Sequence, residues 1–436
     1  MPTPRLIIHG GAGAIHPSNL PYETYLLYAA SLLEVNRSTT SRLAAGASAL
    51  DAATEAVRMM EDNPLFNCGK GAVFTREGGV ELEASVMTTR SYHKRACAVV
   101  LLSHTKNPIL LAKEMLVRGQ TDGSGSSNGG GGDPSGGPGG AQGHCVLGGP
   151  TVEKLAQGWG LEMVEEQYFW TRKRWEQHRR GLGKEEVEDE GEDERDREGY
   201  WGDEEGWDGR EYLPQGTVGC VVLDREGMMC VATSTGGLTN KLSGRIGDTP
   251  TIGAGFWAEE WWDRCHQQMG VQAPLTNLIP EGLRGVLGDC LTGLRGYEGL
   301  ADDDLLDEKY GGKRRSSQIR AVAMSGTGNG DSFLRTAATR TAAAMARFQP
   351  SRSLASAVRE IAGSGGELQR SAGNRWGKTG EGEGGIIGIE LVNGVAKIVA
   401  DFNCGGMFRC WIDDEGAERV MVFKEEYSSK TLQDRW

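Results

Sequence analysis

The stretch Pro214–Gly237, PQGTVGCVVLDREGMMCVATSTGG, decides how the fold is read. Apolar and small residues run from Val218 to Leu223, a "REG" turn follows, and Met229–Thr235 resumes with β-branched residues. This is the pattern of two strands joined as a hairpin. A Gly-Thr pair, Gly216–Thr217, stands at the mouth of the first strand. Thr is β-branched and suits a strand for that reason alone. Its hydroxyl is also a nucleophile that needs a base beside it. The seven histidines lie at 9, 16, 93, 104, 144, 178 and 266, and no GxSxG elbow accompanies them. A Thr that begins a chain carries its own base, an α-amine of unperturbed pKa ~8. That requires the preceding bond to break, and Gly216, lacking Cβ, tolerates strained backbone there. On the residues alone both readings of Thr217 stand.

Working outward, "PRLIIHGGAG" reads as a strand into a glycine turn, and 41–62 has helical apolar spacing. "GAVFTREGGVELEASVM" reads as a hairpin turning at Glu77–Gly79, and "NPILLAKEMLVRG" as a helix capped by Asn107. Further helices are expected over 331–348 and 351–365, and a third hairpin turns at Asn393-Gly394. Helices and antiparallel hairpins come in blocks, which favours a layered α+β fold over a doubly wound parallel sheet.

The 436 residues carry a net charge of -13, but residues 184–213 hold fifteen acidic and four basic residues, so the acidity is local. Nothing resembles a basic nucleic-acid face. Residues 121–143 are Gly/Ser-rich and 181–213 strongly acidic; both are expected to be disordered, as surface-loop insertions or as tethers. Residues 257–317 are weakly patterned. The nine cysteines are scattered, without CxxC or a Cys/His cluster, so neither zinc nor a disulfide framework is indicated. Arg5 precedes only "LII", too short for a signal core, and no apolar run approaches the ~18 residues of a membrane helix. A cytoplasmic protein without membrane partners is expected.

"QGTVGCVVLDREGMMCVATSTGG" followed by "GRIGDTPTIGAG" resembles the plant-type L-asparaginase/isoaspartyl aminopeptidase family, the Thr-type N-terminal-nucleophile hydrolases. "LIIHGGAG", "EDNPLFNCGKGAVFT", "ELEASVM", "SGTGNGDSFLR" and "DFNCGGMFRCWI" extend the likeness over roughly 1–120, 144–178, 214–256 and 318–414. The resemblance implies a four-layer αββα sandwich. It implies autoproteolysis between Gly216 and Thr217 into subunits 1–216 and 217–436, often paired as a dimer of processed heterodimers. It also implies release of L-aspartate from L-asparagine and β-aspartyl dipeptides without a catalytic cofactor. Thr217 matches the nucleophile, Thr235 a second active-site Thr, and Asn67 an active-site Asn. Arg245 and Asp248 match the groups that take a substrate's α-carboxylate and α-ammonium. Thr327 and Gly328 match the oxyanion hole. Main-chain carbonyls of Met60, Glu61, Asn63, Phe66, Cys68 and Lys70 match those that bind a structural sodium ion.

Read without the family, Arg245 and Asp248 are a surface ion pair, and 326–330 is a loop into a helix capped by Asp331. The chain also departs from the family pattern. Glu83 stands where Asp is usual, "SVMTT" lacks an Asp-Gly, and 257–317 replaces a short connection. A glycosylasparaginase-like amidase and an unprocessed scaffold remain the alternatives.

Overall fold

A computed structural model describes residues 2–93, 95–120, 141–183, 216–263, 318–349 and 351–427. Residues 1–261 and 320–436 make up one compact unit; Trp262–Ile319 form a separate one, nearly all outside the described residues. The expectations for 121–143, 181–213 and 257–317 likewise lie largely outside them. The described part of the last segment, 257–263, is strand.

One sheet has the order β12-β11-β1-β5-β6-β2-β3-β4. Its members are β1 (Arg5–Gly13), β2 (Leu82–Thr88), β3 (Ala96–Leu102), β4 (Val146–Gly148), β5 (Val218–Leu223), β6 (Met229–Thr235), β11 (Gly406–Ile412) and β12 (Glu418–Met421). Its pairings are antiparallel except β3 with β4. The second sheet runs β10-β9-β8-β7, with β7 (Phe256–Asp263), β8 (Gln318–Gly328), β9 (Gly384–Val392) and β10 (Val395–Phe402). The expected mainly antiparallel α+β character is therefore present.

The period-two alternation of each strand sorts its side chains. Val218, Cys220 and Val222 of β5 join one apolar cluster with residues of α1 (Tyr22–Ala44), α2 (Ala49–Glu61), α3 (Pro108–Arg118) and α4 (Gly149–Gly158). Val221 and Leu223 face the other way, into a cluster with Phe256, Ala321, Ala323, Ile387 and Ile389 of the second sheet. Helix α5 (Arg172–Gly181) packs Trp175 against the first cluster. A third cluster joins Val322, Met324 and Ile386 to α6 (Gly330–Thr336), α7 (Ala338–Phe348), α8 (Leu354–Ala362) and α9 (Glu367–Ala372). A one-residue slip of β5 would exchange its two faces, so the pattern fixes its register.

Several local expectations are corrected. The stretch 41–62 is not one helix. Its first residues end α1, Gly46 adopts φ +96°, and Ser48 caps α2 by accepting from Asp51 N. The stretch 331–348 is split by Ala337 in the left-handed region. Residues 71–87 form no hairpin: Thr75 N bonds Gly79 O in a tight turn, and β2 instead pairs β3 and β6. Asn107 does stand at the N-cap of α3 but makes no side-chain cap hydrogen bond; its amide donates to Asp62 Oδ1. The Asn393-Gly394 turn forms with both residues at positive φ, as a type I′ hairpin requires. Among the described residues no helix is long and apolar enough to cross a membrane.

Arg320 of β8 and Glu390 of β9 pair at 2.8 Å, both almost fully buried. Removing one partner strands a buried charge, so Glu390→Ala should lose about 3–5 kcal/mol of stability in urea unfolding. Replacing both residues with Met should recover most of that loss.

Candidate active site

Where the two sheets face each other the layer is apolar along most of its length, but at one end the inward positions turn polar. From β2 these are Glu83 and Ser85, and from β6 Thr233 and Thr235; Thr217 precedes β5, and Ser325 and Thr327 come from β8. All are buried. His9 of β1 joins them, its Nε2 2.7 Å from Ser325 Oγ. Burial pulls its pKa down to about 3, against a backbone contact with Thr217, so the ring is neutral near pH 7.

Gly216 is held where no side chain fits. A Cβ there would lie 2.2 Å from Thr327 Oγ1 and 3.0 Å from Ala12 N. Gly11, at φ +115°, backs onto the Gly216 backbone in turn. Thr327 Oγ1 accepts from Ala12 N at 3.2 Å, which ties β8 to the glycine turn of β1. The Gly216–Thr217 bond is thereby threaded between β1 and β8.

One small cavity is lined by Gly216, Thr217, Thr235, Arg245, Asp248 and Gly328, together with Glu83 and the glycines around them. The structure therefore gathers most of the sequence-predicted residues. Thr327 lies against Gly216. Asn67 stands behind the cavity, its Nδ2 donating to Gly237 O at 2.8 Å and its carbonyl accepting from Gly236 N at 2.9 Å. It thereby pins the turn that follows β6. The Thr235 hydroxyl accepts from Gly237 N at 3.0 Å. The Thr217 hydroxyl meets Thr249 Oγ1 at 2.8 Å.

Arg245 and Asp248 are not a surface pair. Arg245 Nη2 reaches Asp331 Oδ2 at 3.2 Å. Asp331 is thus engaged with Arg245, and Asn329 caps α6 in its place by accepting from Ser332 N at 3.1 Å. Asp248 is buried, and its Oδ2 has no hydrogen-bond partner among the described residues. Burial raises its pKa to about 7, against Arg245 and with Glu83 and Asp331 reinforcing the rise. A buried carboxylate oxygen without a donor is the arrangement that an incoming ammonium would complete.

The family profile of the asparaginases matches residues 2–122 and 140–262. This chain belongs to the asparaginase family. Among its relatives, the isoaspartyl peptidase of Escherichia coli K12 is 38% identical over 253 residues, 58% of this chain and 67% of the relative. That of Salmonella typhimurium is 37% identical over 255 residues, covering 58% and 69%. The plant-type L-asparaginase of Pyrococcus abyssi is 32% identical over 257 residues, covering 58% and 70%.

In this asparaginase-family chain, sequence patterns alone missed Thr249 and His9, and marked Glu83 only as a departure. The carboxylate of Glu83 accepts from Gly247 N at 3.1 Å. Burial raises its pKa, while Lys241 and Arg245 oppose the rise. A signal was available: counting back by two from Thr235 places Thr233 on the inward face, and its register partner Ser85 places Glu83 there as well.

Oxygen atoms crowd the 60–70 loop. A Cβ on Gly69 would lie 2.2 Å from Glu61 O, and one on Gly71 2.2 Å from Phe66 O and 2.4 Å from Pro64 O. The carbonyls of Met60, Asn63 and Cys68 accept from Asn63 N, Phe66 N and Gly71 N, leaving each a second lone pair. Main-chain carbonyl oxygens are the donor type that a hard cation takes. Among the described residues no group of His, Cys, Asp and Glu side chains would hold a metal ion.

With the folded-state pKa of Asp248 above its unfolded value, ionisation opposes folding. Its contribution to stability is full below pH ~4 and is lost as pH rises through about 7. Unfolding of Asp248→Asn, followed by denaturant from pH 4 to 8, should show a smaller fall across that window.

Proposed function

We propose that this chain is an autoprocessing threonine hydrolase that releases L-aspartate from L-asparagine and from β-aspartyl dipeptides. One observation carries the reading: Thr217, next to a glycine with no room for a side chain, shares a single cavity with Arg245 and Asp248. The names of the relatives, isoaspartyl peptidase and plant-type L-asparaginase, agree with it.

In the uncut chain, Thr217 Oγ attacks the Gly216 carbonyl carbon. The C–O bond forms, the C–N bond breaks, and the hydroxyl proton ends on the released amine. Water then hydrolyses the ester, leaving a Gly216 carboxylate and a Thr217 that bears both hydroxyl and α-amine. The products are subunits 1–216 and 217–436, which we read as one αββα body of the N-terminal-nucleophile type and as half of a dimer of such heterodimers. The three apolar clusters support the layering.

In turnover the free amine takes the Thr217 hydroxyl proton as Oγ attacks the side-chain amide carbon. Ammonia, or the amino group of the dipeptide's second residue, leaves with that proton, and water cleaves the aspartyl ester. The Arg245 guanidinium suits the α-carboxylate and the Asp248 carboxylate the α-ammonium. Thr327 Oγ–H and the Gly328 N–H are suited to donate to the oxyanion. Thr235 completes the wall beside the nucleophile. A sodium ion held by the carbonyls of Met60, Glu61, Asn63, Phe66, Cys68 and Lys70 would stiffen the loop that carries Asn67.

Intact-mass analysis of the purified protein should show two chains, the second beginning at Thr217. Thr217→Ala should stay uncut and release no aspartate; release at the normal rate would overturn the mechanism. Arg245→Ala should raise KM for asparagine on the order of 10- to 100-fold, the loss of a charge-assisted contact; unchanged kinetics would remove Arg245 from the pocket's role.

A further inference from the structure

We infer that Thr249 is the positioning residue of the nucleophile, holding the Thr217 hydroxyl for both chain cleavage and turnover. The inference rests on Thr217 being the nucleophile, as proposed above. Before cleavage the nitrogen of Thr217 is an amide, with no basic lone pair, so the hydroxyl must be oriented by something other than its own amine. The group it meets is Thr249 Oγ1, at 2.8 Å. The other threonines at the site have hydrogen bonds elsewhere, Thr235 with Gly237 N, Thr327 with Ala12 N, and Thr233 with Ser85 Oγ and Thr249 O.

Thr249 is itself firmly held. It is fully buried. Its carbonyl accepts from Ser85 Oγ at 2.6 Å and from Thr233 Oγ1 at 3.3 Å, and these two hydroxyls pair with each other at 2.6 Å across β2 and β6. Pro250 follows it, which restricts Thr249 to extended backbone. The turn beyond is closed on Asp248 O by Thr251 N at 2.9 Å and Gly255 N at 3.1 Å. Gly255 packs so closely that a Cβ would lie 2.5 Å from that oxygen. A hydroxyl on so constrained a backbone sets the Thr217 side-chain rotamer without any rearrangement at the moment of attack. Thr249 gains and loses no proton overall; the Thr217 proton still ends on the departing amine.

Because Asp248 and Thr249 are consecutive, one turn fixes both the carboxylate offered to the substrate's ammonium and the partner of the attacking oxygen. Motion of that turn would misplace the two together, so the substitution that separates them is one confined to the hydroxyl.

The experiment compares Thr249→Val, Thr249→Ser and Thr217→Ala with the full-length wild type. Chain cleavage is followed by intact mass, and asparagine turnover by aspartate release. Thr249→Val should cut itself at least about 10-fold more slowly and, once cut, show kcat lowered on the order of 10- to 100-fold with KM within about threefold. Thr249→Ser should restore both. If Val is not accommodated, Thr249→Ala removes the same hydroxyl without adding bulk and should behave as described for Val. Wild-type cleavage and kcat in the Val or Ala variant, with Thr217→Ala inactive, would overturn the role of Thr249 and leave the nucleophile standing. Equal failure of Ser and Val would also overturn it, because the hydroxyl would then not be the feature that matters. Aspartate release by Thr217→Ala would instead sink the reading on which the inference rests.

Discussion

The site depends on a place where three backbone segments meet with no space for a β-carbon. The Ala12 backbone of the first strand and the Thr327 hydroxyl of the eighth occupy volume that any side chain on Gly216 would claim, and Gly11 packs against Gly216 in turn. This crowding sets the Gly216–Thr217 bond among hydroxyls and backbone donors at the end of the layer between the sheets. Gly219 repeats the constraint further along the same strand, where a Cβ would lie 2.2 Å from Ser325 Oγ and 2.4 Å from His9 Nε2. Close approach of the two sheets and a polar end to their shared layer are one feature: small residues permit the first and hydroxyls supply the second.

Charge in the cavity is arranged around a ligand bearing both signs. Lys241 sends its ammonium to Glu81 O and, like Arg245, faces Glu83. Burial pushes Glu83 and Asp248 up and Lys241 down, so all three resist their charged forms. A zwitterionic amino acid would offer an opposite partner to both kinds of group. Glu83 adds a further effect, because its grip on Gly247 N steadies the backbone between Arg245 and Asp248.

Much of this was legible in the chain. The hairpin 218–235 and the Asn393-Gly394 turn follow from alternation and turn chemistry, whereas Arg245 and Asp248 stood out through the family resemblance and not through their spacing. Helix α1 escaped notice because its first half has apolar residues on several sides, with Leu26 and Leu27 about half exposed. Its second half also carries Ser38, Thr39, Thr40 and Ser41, poor helix formers. The breaks at Gly46 and Ala337 depend on local dihedrals that periodicity cannot see. Thr249 was hidden for a different reason. It lies in a loop, 32 residues from Thr217, and nothing in local spacing reports a contact closed by two neighbouring strands. Asp331 reads as a cap because Asp commonly is one, yet Asn329 stands two places nearer the helix start and takes that position.

The contact between Arg245 and Asp331 bears on selectivity. The guanidinium already has an anionic neighbour, and that neighbour is half exposed. A carboxylate entering the cavity would therefore exchange one ion pair for another, which offsets part of the attraction that Arg245 supplies. Discrimination shifts to the opposite end of the ligand, where Asp248 lacks a partner until a cation arrives. Dicarboxylates without an amino group would compete poorly for such a cavity, because they bring a second negative charge to the place where a positive one is required.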